Sequence, residues 1–293
     1  MAKFSIYTVD AFSTKPFHGN QAAIVPVPSG QSIPDHTMQA LAAEMNIAET
    51  SFFTPVQSEG PDEFQKSSRF ALRWFTPTVE AKLCGHATLA AAHVLFNELQ
   101  NQNNTLHFDT LSGVLSVSIN REGKLTMRLP MDKPEPVVHN DNFKEIATGV
   151  LGRCSSSTEI ALSPVLRYLV IHDASFSEEE LVALVPNITT KVIEAGRRER
   201  VDLVMVTTKG SDRDFKSRVF APWCGIDEDP VTGSAHTVLA LFWKEKLGKP
   251  FFVAQQCSKR CGELDVKIVD ATHVVISGNA VVVIRGELFL DLE

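Results

Sequence analysis

The sequence predicts an α+β protein made of two similar halves, and a set of repeated segments supports this prediction. Each half contains a strand, a loop, a glycine and then an apolar helix, followed by a second glycine that opens a further strand. Three residue pairs mark the repeat, at separations of 145, 148 and 149 positions: Phe75 and Phe220, Gly85 and Gly233, Gly113 and Gly262. Because these separations nearly coincide, we interpret the chain as one unit used twice. Short strands with few, separated helices favour an α+β plan over a doubly wound one.

The length of the chain sets the predicted domain organisation. A chain of 293 residues with 44% hydrophobic residues can form two ordinary domain cores. Three prolines within Pro130–Pro136 make that segment the best linker. We therefore predict a first half over 1–130 and a second half over 134–282, with 283–293 returning to the first half.

Charge and hydropathy exclude several classes of function. The net charge is −7 and no long run of Lys or Arg occurs, so we expect no nucleic-acid partner. Apolar runs such as Ala280–Ile284 are too short to cross a bilayer, so we expect no membrane association. The segment Met1–Phe12 alternates apolar and polar residues and does not resemble a signal peptide. A cytoplasmic location with reduced thiols is the resulting expectation.

The first half is assigned from its turn signals and apolar spacing. Gly19-Asn20 separates two strands, and a helix follows in which Ser32 is the expected N-cap and Asn46 the left-handed end. Glu49 stands where the next strand begins. The polar, glycine- and proline-bearing stretch after it is expected to be a loop. The predicted elements are strands over 4–10, 22–27, 69–75, 106–108, 114–119 and 125–129, the loop over 56–68, and helices over 32–46 and 87–96.

The second half follows the same strand-rich plan. Gly233 precedes the apolar helix that corresponds to the one after Gly85. Gly286 is expected to set apart a last strand that returns to the first half. The predicted elements are strands over 166–171, 203–207, 217–220, 253–254, 263–269, 273–277 and 288–290, a helix over 178–184, and the helix after Gly233.

The two glycines before the apolar helices are the first candidates for a site. A glycine lets the backbone approach a ligand, and the first N–H groups of a helix lack partners within the helix. Together with the positive end of the helix dipole, these groups favour an anion such as a carboxylate. Gly85 or Gly233 alone reads as an ordinary turn glycine. Their equivalent positions in the repeat favour a ligand site.

Ionisable side chains next to these glycines are the candidate chemical groups. His86 follows Gly85, Asp229 precedes Gly233 by four positions, and Ser234 follows it. The alternative role for Asp229 is that of a helix N-cap, and the alternative role for His86 is that of a capping or packing residue. Glu49, at a helix-to-strand junction, is the candidate proton carrier, with a solvated surface glutamate as its alternative.

Two pairs of residues in the sequence have side chains that can bind a metal. His86 and His93 lie seven positions apart on one helix, but no third ligand is visible beside them. Cys257 and Cys261 lie four positions apart without a second cysteine pair or a histidine pair at zinc-finger spacing. We therefore expect no metal site.

Five ordered motifs resemble one known family. Together they span nearly the whole chain: Gly19-Asn20, Glu49-Thr50-Ser51-Phe52, Phe75-Thr76-Pro77, Gly85-His86-Ala87-Thr88-Leu89-Ala90, and Asp229-Pro230-Val231-Thr232-Gly233-Ser234-Ala235. In order and spacing they resemble the PhzF family of phenazine biosynthesis, and the chain looks like one of its eukaryotic members. The resemblance implies the diaminopimelate-epimerase-like fold. That fold has two pseudo-symmetric halves, each a curled, mostly antiparallel sheet around a central helix, with the active site in a cleft between them.

The resemblance also implies an activity. Family enzymes are cofactor-independent isomerases, and the phenazine enzyme moves a proton within trans-2,3-dihydro-3-hydroxyanthranilate. The position that matches its base and acid is Glu49, and those matching the accompanying catalytic residues are His86 and Asp229. The expected substrate-binding residues are Asn20, Gly85, Thr232, Gly233 and Ser234. The partner implied is a small carboxylate-bearing molecule, and a homodimer is expected.

One departure limits the chemistry. Diaminopimelate-type epimerases use two cysteine thiols, one in each half and each followed by glycine. Cys84 stands before Gly85, but Pro230 is the residue read at the corresponding place ahead of Thr232-Gly233. We therefore expect no two-thiol racemase activity. A second hypothesis for the chain is a regulatory or protein-interaction role in which the site persists as a ligand pocket.

Overall fold

The computed structural model describes residues 1–57, 60–138 and 140–292. Its strands are β1 (Ala2–Ala11), β2 (Asn20–Pro26), β3 (Glu49–Pro55), β4 (Arg69–Phe75), β5 (Glu80–Ala81), β6 (Thr105–Thr110), β7 (Gly113–Ile119), β8 (Leu125–Pro130), β9 (Glu135–Pro136), β10 (Thr158–Leu162), β11 (Tyr168–Asp173), β12 (Leu203–Lys209), β13 (Phe215–Ala221), β14 (Ile226–Asp229), β15 (Phe251–Gln256), β16 (Gly262–Ile268), β17 (His273–Gly278) and β18 (Ala280–Leu290). Its helices are α1 (Asp35–Met45), α2 (Glu63–Lys66), α3 (Gly85–His93), α4 (Asp141–Leu151), α5 (Glu178–Ala183), α6 (Thr190–Glu199) and α7 (Ala235–Leu247).

The first compact unit comprises Met1–Arg128 and Ser277–Glu293. Within it β2 and β3 are parallel, β3 and β4 antiparallel, β4 and β6 parallel, and β6 and β7 antiparallel. The short strand β5 also pairs with β4, and β18 runs antiparallel along the whole of β1. The C-terminal strand therefore belongs to the unit formed by the N-terminal residues.

The second compact unit, Leu129–Ile276, repeats this order of pairings. Here β11 and β12 are parallel, β12 and β13 antiparallel, β13 and β15 parallel, and β15 and β16 antiparallel. The short strand β14 pairs with β13 as β5 pairs with β4. The repeat predicted from three residue pairs is thus matched strand by strand.

Each unit has one buried helix, and its composition explains the burial. Residues 86–92 of α3 are all buried, as are 235–240 of α7 together with Phe242 and Trp243. A helix that is apolar or small on every side is stable only when it is surrounded by protein. Alanines at Ala90–Ala92 let the strands of the first unit approach the backbone of α3 closely. These two helices are the central helices of the predicted fold.

An arginine in each unit repeats the same set of contacts. Arg73 on β4 binds Glu80 through Nε and Nη2, and its guanidinium lies 5.1 Å from the centre of the Phe75 ring. Arg218 on β13 binds Glu228 in the same way and lies 5.1 Å from the Phe220 ring. Bidentate pairing of this kind fixes the direction of both side chains. The paired arginine therefore ties each central strand to the short strand beside it.

Several local expectations are wrong. Ser32 does not cap α1, because the helix begins at Asp35 and Pro34 occupies the N-cap position. The stretch 56–68, expected to be a loop, contains a 3-10 turn at Gly60–Asp62 and α2, while residues 58 and 59 lie outside the described part. Gly286 does not set apart a strand, since it pairs with Ile6 inside β18. A glycine is tolerated in a strand whose partner supplies the backbone hydrogen bonds.

Two helices of the second unit, α4 and α6, were missed. The signals for α4 are nevertheless present in the sequence. Asn140 caps its start by accepting from the N–H of Phe143, buried side chains recur at helical spacing through Val150, and Gly152 ends it in the left-handed conformation. These caps and the helical spacing together are sufficient to predict α4 from the sequence.

Within the described residues, no helix is both long and apolar enough to span a bilayer.

Candidate active site

The first unit brings four of the predicted site residues together at the start of α3. Asn20 is the first residue of β2 and Glu49 the first of β3, and the parallel register pairs Ala22 with Glu49. His86 is the second residue of α3, directly after Gly85. The amino ends of two parallel strands thus meet the amino end of the buried helix. Only the folded sheet brings Asn20 and Glu49, which are far apart in sequence, to the same place.

His86 is the centre of this group. Its Nε2 atom lies 3.0 Å from Oε2 of Glu49, and its Nδ1 atom lies 3.2 Å from Nδ2 of Asn20 and 3.5 Å from Sγ of Cys84. The side chains of His86 and Glu49 are only 8% and 14% exposed. Both ring nitrogens therefore face polar groups in a nearly dry environment, where charge interactions are strong.

The contact between Glu49 and His86 is close but poorly aligned. Among the described residues neither Oε2 of Glu49 nor Nε2 of His86 has a hydrogen-bond partner with good geometry. A buried polar atom without a well-formed hydrogen bond is costly, and such atoms are concentrated at functional sites. The carboxylate therefore stays close to its cationic neighbour while keeping hydrogen-bonding capacity that a substrate can use.

Two opposing effects set the protonation of His86. Burial disfavours the charged ring, but Cys84 and Glu49 outweigh it and raise the pKa of His86 well above 6.5. Burial, with a smaller contribution from Glu49, raises the pKa of the Cys84 thiol to about 11. Both shifts favour the protonated forms, so the imidazole and the thiol each hold a proton beside Glu49.

The donor atoms of Glu49, Cys84 and His86 all lie within 4.8 Å of one another. Carboxylate, thiol and imidazole are the ligand types that zinc prefers, so the group has the composition of a metal site. The pair considered in the sequence, His86 with His93, does not form it. His93 lies within hydrogen-bond distance of Asn97 at its own end of the helix.

The second unit brings the other predicted residues together at the start of α7. Thr232 donates through Oγ1 to Oδ2 of Asp229 at 2.5 Å, and Ser234 occupies the N-cap position of the helix. The alternative in which Asp229 caps α7 is wrong, because the Asp229 carboxylate accepts from Thr232 and Ser234 holds the cap position. The segment 229–234 is therefore a loop with its own internal hydrogen bonds.

Two residues beside this loop were not predicted. The hydroxyl of Tyr168 lies 3.2 Å from Oγ of Ser234. Gln256, fully buried on β15, accepts from the N–H of Thr232 at 2.8 Å and donates to the carbonyl of Asp229 at 2.6 Å. Gln256 was detectable, because it follows Phe252 and Ala254 on the buried side of an alternating strand, where a polar residue needs partners. Nothing in the sequence pointed to Tyr168.

Comparisons with known proteins decide the family. The model of the phenazine biosynthesis-like proteins (PhzC-PhzF) matches residues 9–286. The chain belongs to this family. A phenazine biosynthesis-like domain-containing protein of Rattus norvegicus is 39% identical, covering 98% of this chain and 99% of the relative. An uncharacterized isomerase of Pseudomonas aeruginosa is 40% identical, covering 98% of this chain and 100% of the relative.

Solved structures confirm the fold. A PhzF-family protein of Enterococcus faecalis superimposes with a TM-score of 0.83 at 34% identity, covering 99% of this chain and 100% of that one. The diaminopimelate-epimerase-like fold predicted from the motifs is therefore confirmed. Family membership and relatives named as isomerases identify the chain as an isomerase-type enzyme of the PhzF family.

The structure corrects one equivalence between the two halves of this PhzF-family chain. Thr88 in α3 donates to the carbonyl of Cys84, and Nδ1 of His236 in α7 donates to the carbonyl of Thr232. Each bond spans four residues at the start of a central helix. Thr232, not Pro230, therefore corresponds to Cys84. The second half has a hydroxyl where a second thiol would stand, so the expectation of no two-thiol racemase activity is unchanged.

Substitution of Gly85 should weaken substrate binding without lowering the melting temperature. The backbone of Gly85 is not in the left-handed region, and a Cβ built on it would meet no atom within 4 Å. Gly85→Ala should leave the melting temperature unchanged or raise it, since alanine favours a helix over glycine by up to about 1 kcal/mol. The same methyl group would fill the space before the first N–H groups of α3. We expect KM to rise by about tenfold or more, the equivalent of ~1.4 kcal/mol of lost contact.

Gly196→Ala is the contrasting variant for this test. A Cβ at Gly196 would lie 2.2 Å from the Trp223 ring, so this change should lower the melting temperature. If Gly85→Ala lowered the melting temperature as Gly196→Ala does, or left KM unchanged, the space at Gly85 would have no role in binding.

The buried His236 should make the free energy of unfolding depend on pH. It is fully buried, and burial lowers its pKa to about 4. Between pH 6.5 and 4 the unfolded chain binds a proton at this residue and the folded chain does not, so acid favours unfolding. We expect the free energy of unfolding to fall by up to about 3 kcal/mol across this window. His86 has the opposite shift, so its stabilising contribution is complete below pH 6.5 and declines only above it.

Urea denaturation of His236→Asn against wild type between pH 7 and 4.5 checks this. Asparagine can still donate to the Thr232 carbonyl but does not titrate, so its stability should vary less with pH. His36→Asn, a change at an exposed residue of α1, serves as the control and should follow the wild-type curve. Parallel curves for wild type and His236→Asn would contradict the assignment.

Proposed function

We propose that the chain is a cofactor-independent isomerase that moves a proton within a small carboxylate-bearing substrate, with Glu49 acting first as base and then as acid. The main support for this proposal is the environment of the Glu49 carboxylate. This carboxylate is nearly buried, lies 3.0 Å from Nε2 of His86, and keeps Oε2 without an aligned hydrogen bond to any described residue. A carboxylate held this way can accept a proton from carbon and return it without leaving its place.

In the proposed reaction, one residue, Glu49, carries out both proton transfers. Glu49 removes a proton from one carbon of the substrate, and the electron pair left behind is delocalised toward the carboxylate end of the molecule. The protonated Glu49 then delivers its proton to a second carbon, which completes an isomerisation without any net change in protons. His86, as imidazolium, stabilises the ionised form of Glu49 before the first transfer and after the second.

The negative charge that develops on the substrate needs a partner. The N–H groups in the first turn of α3, beginning at Gly85, lie at the positive end of the helix dipole. Donors that are already in place cost no reorganisation when charge appears, which makes them effective in stabilising a transition state. We assign the substrate carboxylate to this helix start. Asn20, which contacts His86 at Nδ1, orients the imidazole.

Residues of the second unit are proposed to supply further polar contacts to the substrate. Asp229 is the third proposed catalytic residue, held in place by Thr232 and by the amide of Gln256 bound to its backbone carbonyl. Ser234 and Gly233 are proposed to bind the substrate. If so, Ser234→Ala should raise KM more than it lowers kcat. The family resemblance further leads us to propose a homodimer, which analytical ultracentrifugation tests directly.

Proton NMR in deuterated buffer tests the reaction itself. With trans-2,3-dihydro-3-hydroxyanthranilate as substrate, the wild-type protein should convert the compound. Solvent deuterium should appear at the reprotonated carbon to the extent that the proton held by Glu49 exchanges with solvent before it is returned. The same experiment on a panel of small unsaturated carboxylates defines the substrate class. The proposed isomerase would be contradicted if every one of these compounds showed no conversion and no deuterium exchange.

A further inference from the structure

The hairpin turn between β15 and β16 carries two of the five cysteines. The last paired residues of this hairpin are Gln256 and Gly262, so Cys257 and Cys261 are the next residues on its two sides. Residues facing each other at the end of an antiparallel pair have Cα atoms about 4.5–5.5 Å apart, which lies inside the range that a disulfide requires. Both cysteines are free thiols here.

The two cysteines face each other across the end of the hairpin, and their environments differ. Cys257 is buried, whereas Cys261 is partly accessible. The hydrogen bond to Cys261, together with burial, raises the pKa of the Cys257 thiol far above its usual range. Cys257 therefore keeps its proton, and its Sγ lies 3.6 Å from Oε1 of Gln255. Cys261 has the more accessible sulfur, which suits the attacking member of the pair.

The same turn holds the loop of the second-unit site. Oγ of Ser258, the residue after Cys257, donates to the carbonyl of Pro230 at 2.8 Å. The N–H of Cys261 in turn donates to Oγ and to the carbonyl of Ser258, both at 3.1 Å. Gln256, the residue before Cys257, binds both ends of the segment Asp229–Thr232. A change in the Cys257–Cys261 turn therefore acts directly on that segment.

We propose that Cys257 and Cys261 are an oxidisable pair, which a hydroperoxide converts to a reversible disulfide that loosens the hold of the turn on the 229–234 loop. The sulfur of Cys261 attacks the peroxide oxygen, breaking the O–O bond and forming a sulfenic acid with release of water or an alcohol. The sulfur of Cys257 then displaces hydroxide from it, and its proton leaves as part of a second water molecule. Two thiols are oxidised and one hydroperoxide is reduced. A dithiol reductant reverses the reaction.

Peptide mapping tests the disulfide on the full-length protein. Lys259 and Arg260 lie between the two cysteines, so trypsin separates Cys257 from Cys261 in the reduced chain. After treatment with stoichiometric hydrogen peroxide and alkylation of the remaining thiols, the two peptides should appear joined and should separate on addition of dithiothreitol. The number of alkylatable thiols should fall from the five in the chain to three.

Matched variants control the assignment. Cys257→Ser and Cys261→Ser should each abolish the joined peptide, whereas Cys224→Ser, a change at an exposed cysteine, should leave it unaffected. The proposal is overturned if Cys257 and Cys261 remain alkylatable at a peroxide dose that oxidises Cys224. Mixed pairing of Cys261 with Cys224 or Cys154 would overturn it as well.

Hydrogen exchange tests the effect on the loop. The N–H of Thr232 is protected by Gln256 in the reduced protein. In the oxidised protein we expect peptides covering 230–234 to exchange several-fold faster, and peptides from α4 to be unchanged. A disulfide that forms without any change in exchange over 230–234 would overturn the coupling between the turn and the loop. These readouts are independent of substrate and of the proposed isomerase activity.

Discussion

Glu49→Gln should abolish turnover while leaving the fold intact. The glutamine side chain has the same shape but can neither accept the proton from carbon nor return it. General acid–base groups each contribute about 10²–10⁴-fold, and here one residue performs both transfers. We therefore expect kcat to fall by on the order of 10⁴-fold or more, measured by the deuterium-exchange assay.

The free energy of unfolding should change little in this variant, because the His86 ring can lose its proton when the Glu49 charge is removed. The pKa of His86 is raised by its acidic neighbours, so removing the Glu49 charge should lower that pKa and let the ring become neutral. An NMR titration of the His86 ring in wild type and in Glu49→Gln reports this directly. A packing role for Glu49 would not move the titration.

The control is Glu44→Gln, on the exposed face of α1. It should retain wild-type turnover and the wild-type His86 titration. Turnover of Glu49→Gln within a few-fold of wild type would contradict the assignment of the base, whatever the identity of the substrate.

Arg218→Met should be among the most destabilising single changes in the second unit. The Arg218 side chain is 10% exposed, binds Glu228 through two nitrogens, and donates through Nη1 to the carbonyl of Leu184. Removing it leaves the Glu228 carboxylate and a backbone carbonyl without their donor. Breaking a buried ion pair from one side costs about 3–5 kcal/mol, and we expect a loss in that range on urea denaturation.

The repeat supplies the matched variant. Arg73 occupies the equivalent place in the first unit with the same bidentate partner and aromatic ring, but its side chain is 32% exposed and its third partner, Asp35, lies on the surface. Water can replace part of what Arg73→Met removes, so we expect a cost of about 1–2 kcal/mol. Equal costs in the two units would show that burial does not set the strength of this contact.

The repeat and the candidate residues were predictable because they depend on local spacing. Gly85 and Gly233 stand before apolar helices whose composition alone requires burial, and Asn46 ends α1 in the left-handed conformation as expected. The motifs around Glu49, His86 and Asp229 assigned the family, which the comparisons confirm. Tyr168 shows the limit, since proximity across strands follows from sheet register. The error at Pro230 is of another kind, because the separation of 148 between Gly85 and Gly233 already places Thr232 opposite Cys84.

The fold class, the internal repeat, the family and the residue types of the site therefore all follow from the amino-acid sequence. Alternation and helical spacing record which side chains must be buried, and these patterns are local. The tertiary structure alone decided that Asn20, Glu49 and Cys84 surround one imidazole, that Gln256 holds the loop 229–232, and that two thiols meet in the turn beside it. These contacts join residues distant in the chain or depend on the conformation of a turn. Their distances, and the protonation of His86 that follows from them, exist only once the strands are paired.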